Sequence, residues 1–409
     1  MIDFPASPTV GQNFSAAGVT WTWDGAKWTA TGLNNAYLPL TGGTMSGPVT
    51  NLTLAADPTA ALGGATKQYV DAGDAALGSN IRYRNRIING DMAIDQRNGG
   101  AQIAMGAVSA YVIDRWKIGN SGVASKGSVG RVTLAAPPGN APVGFPFLYC
   151  LSFNTATAYA SPAAGDAVSW QHLIEGYNFL DAQWGTPNAL PITVEFWASS
   201  PVAGAYAFSL CNTGGARSYV STFVLPANTW TKIRLDIPAD TAGTWSVAAS
   251  AACALLRFGL CIGSTYQTAT VNAWQNGNFL STAGAVNVLA TTSSGLSITG
   301  VALMVNSPPN AEPDFRKQSD NLLDCLRYYQ KGQLYGGSAA YVSGFAAIAS
   351  SLCPVLMRAT ATMAQVGGVS TNVGTITLQH SGTMFYGSAV VAATGTYALN
   401  AIFTADADL

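Results

Sequence analysis

Residues Tyr37 to Asp71, YLPLTGGTMSGPVTNLTLAADPTAALGGATKQYVD, set the first limit on what this chain can become. Leu38, Leu40 and Met45 are apolar, but Pro39, Gly42, Gly43, Gly47 and Pro48 leave too little side chain around them to close a core. Proline removes a backbone donor and glycine has nothing to bury, so the stretch reads as an extended ribbon. Its end, Ala65 to Leu77, reads as a short helix with Thr66 as N-cap. Tyr69 or Val70, Gly73 and Leu77 lie along one side of it. That is about one or two heptads, against the roughly three to four that an independent coiled coil shows. A segment of this kind is stable when it pairs with something else, most economically with copies of itself. Residues 33–80 are therefore expected to form a fibrous shaft with a short trimerising or docking collar in a multi-chain protein.

The composition fits that expectation. Only 10% of the 409 residues are charged, where about 25% is ordinary. Disordered chains are highly charged and poor in aromatics, whereas this one carries 10 Trp, 16 Tyr and 15 Phe. Small uncharged residues with many aromatics suit β-structure packed against neighbours. A formal net charge of −1 gives no electrostatic support for nucleic-acid or membrane-surface binding. Arg82, Arg84 and Arg86 stand at strand-like spacing and read as a solvated strand face before they read as a phosphate track. The six cysteines (Cys150, Cys211, Cys253, Cys261, Cys325 and Cys353) lack zinc-ligand spacing, and several sit in apolar runs, so buried free thiols are expected. Asp3, Pro5 and Pro8 interrupt any signal-peptide apolar core, and no apolar run reaches the ~18–20 residues of a membrane span. A soluble chain, neither exported by the usual route nor inserted in a membrane, is expected.

Taken in order, residues 1–32 form a first β module. Val19 to Ala30 carries a strand, an Asp24-Gly25 turn and a return strand, a strong hairpin pattern. Trp21, Trp23 and Trp28 give that hairpin a large apolar face, which must dock either on the preceding MIDFPASPTVGQNF arm or on a partner protein. From Asn85, NRIINGDMAIDQRNGG is dense in turn formers. Alternating strands follow to about residue 306. Phe147, Tyr149, Leu151 and Phe153 mark one; Val168, Trp170, His172 and Ile174 another. Ile192, Val194, Phe196 and Ala198 face one way, with Thr193, Glu195 and Trp197 facing the other. Trp230, Ile233, Leu235 and Ile237 oppose Lys232, Arg234 and Asp236. Leu256 to Ile262 and Val301 to Val305 complete the series, with turns such as Pro137-Pro138-Gly139-Asn140 and Asp240 to Gly243 between them. Many short period-2 strands without long intervening helices predict an antiparallel sandwich, a jelly roll, over residues 81–311. Glu312-Pro313-Asp314 is read as leading a helix that runs to Lys331, with Leu322, Leu323, Leu326 and Tyr329 on its apolar side and Gly332 at its C′ position. Residues 333–409 are expected to be a β tip with too few bulky residues for a robust core of its own.

These residues resemble those of tailed-bacteriophage fibre proteins. YLPLTGGTMSGPVT followed by ATKQYVD is similar to a shaft-and-collar repeat of tail fibres, and DFPASPTVGQNFSAAGVTWTWDGAKW is similar to the N-terminal segment of such virion proteins. NRIINGDMAIDQRNGG with Tyr111 to Trp116, then Gln171 to Gly176, ITVEFWASS and WTKIRLDIP, resembles a carbohydrate-binding-module-like jelly roll, and LLDCLRYYQK resembles the helix that closes it. The resemblance covers most of residues 1–332 and shows one clear copy of the shaft repeat. It implies a short homotrimeric fibre in the virion tail, assembled in the host cytoplasm. Its N-terminus would be attached to other tail proteins, with Trp21, Trp23 and Trp28 in the attachment module, and its distal domains would meet a host surface glycan or protein. A structural or decoration protein without receptor binding is the first alternative, a glycan depolymerase the second.

Hydrolysis of a glycan normally needs two carboxylates across the scissile bond, and the chain holds three glutamates, Glu175, Glu195 and Glu312. Glu175 with Asp181 is a conceivable pair, but no catalytic residue is assigned and an enzyme is not expected. His172 alternates with Trp170 and Ile174 as a core histidine does, and His380 is read into a turn, so no metal site is expected. No phosphate-loop, dinucleotide or nucleophile-elbow pattern occurs, and no cofactor is expected. Sugar-binding surfaces combine aromatic faces with amides, because a pyranose has an apolar side and a polar rim. Tyr177, Asn178, Trp184, Tyr219, Trp274 and Asn276 offer that combination in turn-rich surroundings and are the candidate glycan platform.

Overall fold

The structure, a computed structural model, describes residues 2–31, 82–134, 144–246, 250–309 and 311–408. The ribbon and helix expected over 33–80, and the Pro137 to Asn140 turn, lie outside the described residues. The chain divides into two units, Met1–Asp74 and Ala75–Leu409.

In the first unit, β1 (Asn13–Ala16), β2 (Val19–Trp23) and β3 (Trp28–Thr31) form an antiparallel sheet in that order. Gly25 takes φ +103°, and the Asp24 carboxylate accepts the N–H groups of Ala26 and Lys27 at 2.8 Å each, which closes the hairpin turn. Phe4 from the preceding arm stacks on Trp28 at 5.3 Å and meets Trp21 edge-on at 5.4 Å. Trp23 packs on Trp28 at 5.6 Å. The arm therefore supplies one cover for the tryptophan face.

The second unit begins with β4 (Arg82–Arg84), β5 (Ile103–Ala104), β6 (Val108–Ile113), β7 (Trp116–Ser121), β8 (Gly127–Thr133), β9 (Tyr149–Thr155) and β10 (Ala167–Glu175). It continues with β11 (Ile192–Ser199), β12 (Gly204–Asn212), β13 (Arg217–Leu225), β14 (Thr231–Ile237), β15 (Ala252–Ile262), β16 (Trp274–Asn276) and β17 (Gly295–Val305). Two antiparallel sheets result, in the orders β16-β13-β12-β15-β10-β7-β6 and β14-β11-β17-β9-β8-β5. The alternation read in the sequence sets which side chains lie between them. Phe196 of the second sheet packs on Phe208, Phe223 and Phe258 of the first, with centroids 4.9–6.4 Å apart. Val168, Trp170, His172 and Ile174 are all buried along β10. The protein is thus mainly β, an antiparallel sandwich consistent with a jelly roll.

The helix expected from Glu312 to Lys331 is shorter. Glu312–Asp314 is instead β18, paired in parallel with β4, and the helix α1 covers only Gln318–Leu326. Tyr329–Tyr341 is β19, so Tyr329 and Lys331 belong to a strand. Gly332 serves packing and not a helix end: a Cβ there would lie 2.6 Å from the Phe403 ring. The apolar spacing that suggested a continued helix ran from Leu322, Leu323 and Leu326 to Tyr329, whose ring, like that of Tyr328, is held by an arginine of the sandwich. The Arg115 guanidinium lies 3.6 Å from the Tyr328 ring centroid and that of Arg97 4.0 Å from Tyr329.

The tip adds β20 (Ala346–Leu352), β21 (Thr362–Gly367), β22 (Thr377–Ser381), β23 (Met384–Val390) and β24 (Gly395–Asp406). Its sheets, β19-β24-β21 and β20-β23-β22, close a small core around Leu334, Phe385, Leu399 and Phe403. Contrary to expectation, the tip has its own core, because glycines and alanines let a few aromatics fill it. His380 is also not in a turn. It is buried on β22, where Nδ1 accepts the Ala361 N–H at 3.0 Å and Nε2 donates to the Gly382 carbonyl. All six cysteines are free, five of them buried, and burial pushes Cys150, Cys253 and Cys261 up to about 12. Among the described residues no helix is long and apolar enough to cross a membrane.

Charges fasten the tip to the sandwich. Arg97 donates to Asp406 at 2.9 Å and pairs with Asp408, which also pairs with Arg115. Beside them Asp114 accepts the backbone N–H and the side-chain amide of Gln96, each at 2.6 Å. Burial pushes its pKa up to about 6 despite those hydrogen bonds and Arg97, from about 3.9 in an unfolded chain. The folded protein therefore holds this proton more tightly, and the cost of a buried charge grows as pH rises from about 4 to 6. Asp114→Asn is expected to remove up to about 1.4 kcal/mol per pH unit of slope from that window. Urea melts across it check this, and a wild-type slope in the variant would count against a titrating Asp114.

Candidate functional site

A cleft of about 400 Å³ opens where the 84–91 segment, the end of β10 and α1 meet. Its first wall is fixed by Asn85, whose Oδ1 accepts the N–H groups of Ile87 and Leu303 and whose Nδ2 donates to the Val301 carbonyl. This lashes the segment to β17. Gly90 comes so close that a Cβ would lie 2.0 Å from the Val301 carbonyl oxygen. Asn89 takes φ +57°, and its side chain donates to the carbonyls of Ile94 and Asp114 and accepts the Ile94 N–H. Its own N–H donates to Asn321 Oδ1, which ties the wall to α1.

The second wall is the short 3-10 turn Gly176–Asn178. It turns Tyr177 outward, 65% exposed, while Phe179 anchors the turn against Trp184 at 4.8 Å. Asn178 Oδ1 accepts from Arg84 at 2.8 Å, and its carbonyl accepts from Arg86 at 3.3 Å. Arg86 is not the solvated strand residue expected: it is buried and paired with Asp181. Burial depresses its pKa and the Asp181 carboxylate opposes that. The third wall, α1 and its flanks, brings Arg316 paired with Asp324, and Arg327, which donates to both oxygens of Glu175 at 3.0 and 3.1 Å. Arg358 of the tip stands 3.7 Å from the same carboxylate. Burial pushes Asp91 and Asp324 up, opposed respectively by hydrogen bonds and by Arg316.

A second hollow, of about 700 Å³, adjoins the first, and Asp91 and Phe315 line both. It lies on the outer side of β11, where Trp197 and Glu195 point away from the core. Trp197 is half-buried and braced edge-on by Phe145 at 5.1 Å, and Phe147 meets Phe315 at 5.2 Å. Glu195 pairs with Arg234 through Oε1 at 2.8 Å. The Lys232 ammonium pairs with the other oxygen, Oε2, at 3.1 Å.

Of the six candidate platform residues, the structure brings Tyr177 and Asn178 to the cleft. Trp184 and Tyr219 are buried at 4% and 3% exposure and cannot present a face. With Trp274 and Trp245 they form an edge-to-face cluster, Trp184 lying 4.7 Å from Trp245 and 4.9 Å from Trp274. The indole N–H groups of Trp184 and Trp274 donate to the carbonyls of Leu190 and Pro238, so the cluster is satisfied packing at one end of the sandwich. Asn276 is exposed but accepts from Arg217 at 3.0 Å, away from the cleft. Sequence reasoning missed Trp197 and Phe315. The signal for Trp197 was present, since the alternation of β11 placed it opposite the core face. His172 is buried as expected, with Nε2 donating to the Ile88 carbonyl. Burial and nearby Arg115 hold its pKa well below the ordinary value.

No family model matches the chain, and no curated protein matches it. Among solved structures, the enzymatically active domain of tailspike protein 4 of bacteriophage CBA120 is similar at 12% identity and TM-score 0.26 over 47% of this chain. The chain spans only 19% of the length of that protein. TmCBM61, solved with β-1,4-galactotriose, gives 12% identity and TM-score 0.26 over 54% of this chain and 99% of its own. The family 11 carbohydrate-binding module of a Clostridium thermocellum cellulosomal cellulase gives 9% identity and TM-score 0.24 over 51% and 96%. Likenesses this distant assign no ligand and no role to this chain.

Proposed function

We propose that this protein is a short homotrimeric tail fibre of a bacteriophage that attaches to the virion by its N-terminal module and binds a host surface glycan. One observation carries the glycan reading: Tyr177 stands out at the mouth of a cleft that is lined, beside Ile87, Ile88, Phe315 and Tyr328, by amide, guanidinium and carboxylate side chains. An aromatic face beside fixed donors and acceptors matches the apolar side and polar rim of a sugar. Binding is favoured over hydrolysis because each buried glutamate is already held by cations: Glu175 by Arg327 and Arg358, Glu195 by Arg234 and Lys232.

The multi-chain part has support of its own in the tip. From residue 332 to 405 the sequence contains one charged residue, Arg358. The outer face of β20 and β23 presents Ile348, Leu352, Met384 and Val390 to solvent. A strand face with these apolar side chains and no charge differs from an ordinary solvated face, and copies of the chain are its natural cover.

Purified protein should therefore bind host cells and a surface-glycan array and show three chain masses by native mass spectrometry. Tyr177→Ala is expected to weaken retention about three- to tenfold, the weight of one exposed aromatic contact. Absence of binding to cells and glycans alike would leave the structural-fibre alternative, and a monomer mass would remove the fibre itself.

A further inference from the structure

The two hollows differ in wall chemistry from a site for a single terminal sugar. Of the aromatic side chains that line them, three are not buried: Tyr177 in the first, Phe315 shared and Trp197 in the second. Polar groups separate these faces, among them Asp314 by the first hollow and Glu312 and Lys232 in the second. Repeated apolar patches with polar groups between them match a chain of sugars, whose rings alternate with hydroxyl rims. A single hexose would leave one hollow empty.

The charges sort the chemistry further. Four arginines and Lys232 line the two hollows against six carboxylates. Most are paired internally: Arg86 with Asp181, Arg316 with Asp324, Arg327 with Glu175, and Lys232 and Arg234 with Glu195. Among the described residues, Arg84 has only the Asn178 amide, Asp91 only hydrogen bonds from Ala93 and Asn321, and Asp314 and Glu312 have no side-chain partner. What is left over is one cation and three carboxylates. With that excess of carboxylates the two hollows offer acceptors for hydroxyl groups and are a poor host for further anions.

Resting on the glycan reading above, we propose that the two hollows form one trough that holds a linear, uncharged oligosaccharide along its length and rejects acidic glycans. Short chains occupy the Tyr177 cleft, and longer ones extend past Phe315 to Trp197.

Calorimetric titration of the whole protein with neutral linear gluco-, galacto- and manno-oligosaccharides, from disaccharide to hexasaccharide, tests it beside oligo-uronides of matched length. For the neutral series that binds, affinity should rise about tenfold or more with length, and uronides should bind at least about tenfold more weakly. Trp197→Ala should cancel the gain of the long chain and leave the disaccharide unchanged. Glu312→Ala, at an exposed position, should repeat that pattern at about two- to threefold without disturbing the packing of Trp197 on Phe145. Affinity independent of length, or uronides bound as well as neutral chains, would overturn the proposal while leaving glycan binding intact. If no oligosaccharide of either kind binds, the proposal and the glycan reading fall together.

Discussion

Asp408→Ala is expected to cost about 3–5 kcal/mol of stability, the range for removing one partner of a buried ion pair. Asp408 and Arg115 are 3% and 1% exposed at their side chains, so the variant strands a guanidinium that water cannot reach. Burial alone depresses the Arg115 pKa, and the Asp408 carboxylate more than reverses that, holding it above the ordinary value. Arg97 loses one of its two carboxylates in the same step. Because these pairs join β24 to the sandwich, the tip should melt ahead of the jelly roll in the variant. Calorimetry checks this: a single wild-type transition would mean that the tip is held by its other contacts. Replacing the pair together, as Arg115→Met with Asp408→Leu, should recover much of the loss, since apolar side chains of similar size need no desolvation of charge.

Asn89→Ala is expected to be comparably damaging, about 3 kcal/mol or more. The side chain satisfies three buried backbone groups, the carbonyls of Ile94 and Asp114 and the Ile94 N–H. Each group left unpartnered costs about 1–3 kcal/mol. Alanine is also strained at φ +57°, where asparagine is among the better tolerated residues. The Asn89 carbonyl accepts the Trp116 indole N–H at 2.9 Å, so the loss reaches the centre of the core. The cleft wall should loosen with it, lowering glycan retention beyond the effect of Tyr177→Ala. Asn89→Gly separates the causes: it relieves the backbone strain but not the missing hydrogen bonds. Full stability in Asn89→Gly would show that conformation mattered and the hydrogen bonds did not.

Much of the sandwich was legible in the sequence because it follows local rules. Side chains alternate along a strand, so Ile192, Val194, Phe196 and Ala198 declared a core face in advance, and Asp24-Gly25 declared a hairpin. Asn89-Gly90-Asp91 was legible as turn chemistry, but not as the junction of β17, α1 and the Trp116 indole, which are distant in the chain. The helix was read too long because Tyr329 continues the helical spacing of Leu322 and Leu326; nothing local shows that Arg97 waits for its ring and Arg115 for that of Tyr328. Trp184, Tyr219 and Trp274 illustrate the opposite error. Aromatics near turns look alike in sequence whether they face a ligand or one another, and burial tells them apart.

The order of elements, the mainly β class and the apolar faces follow from residue types and spacing, since propensity and periodicity act over a few neighbours. The cleft does not. Tyr177, Arg84, Asp91, Phe315 and Trp197 come from four stretches of chain, and they line adjoining hollows only because β4 pairs with β18 and the 84–91 segment is lashed to β17. Which charges remain free there is likewise a matter of long-range pairing. Composition counts charges, but only distances near 3 Å decide which of them cancel.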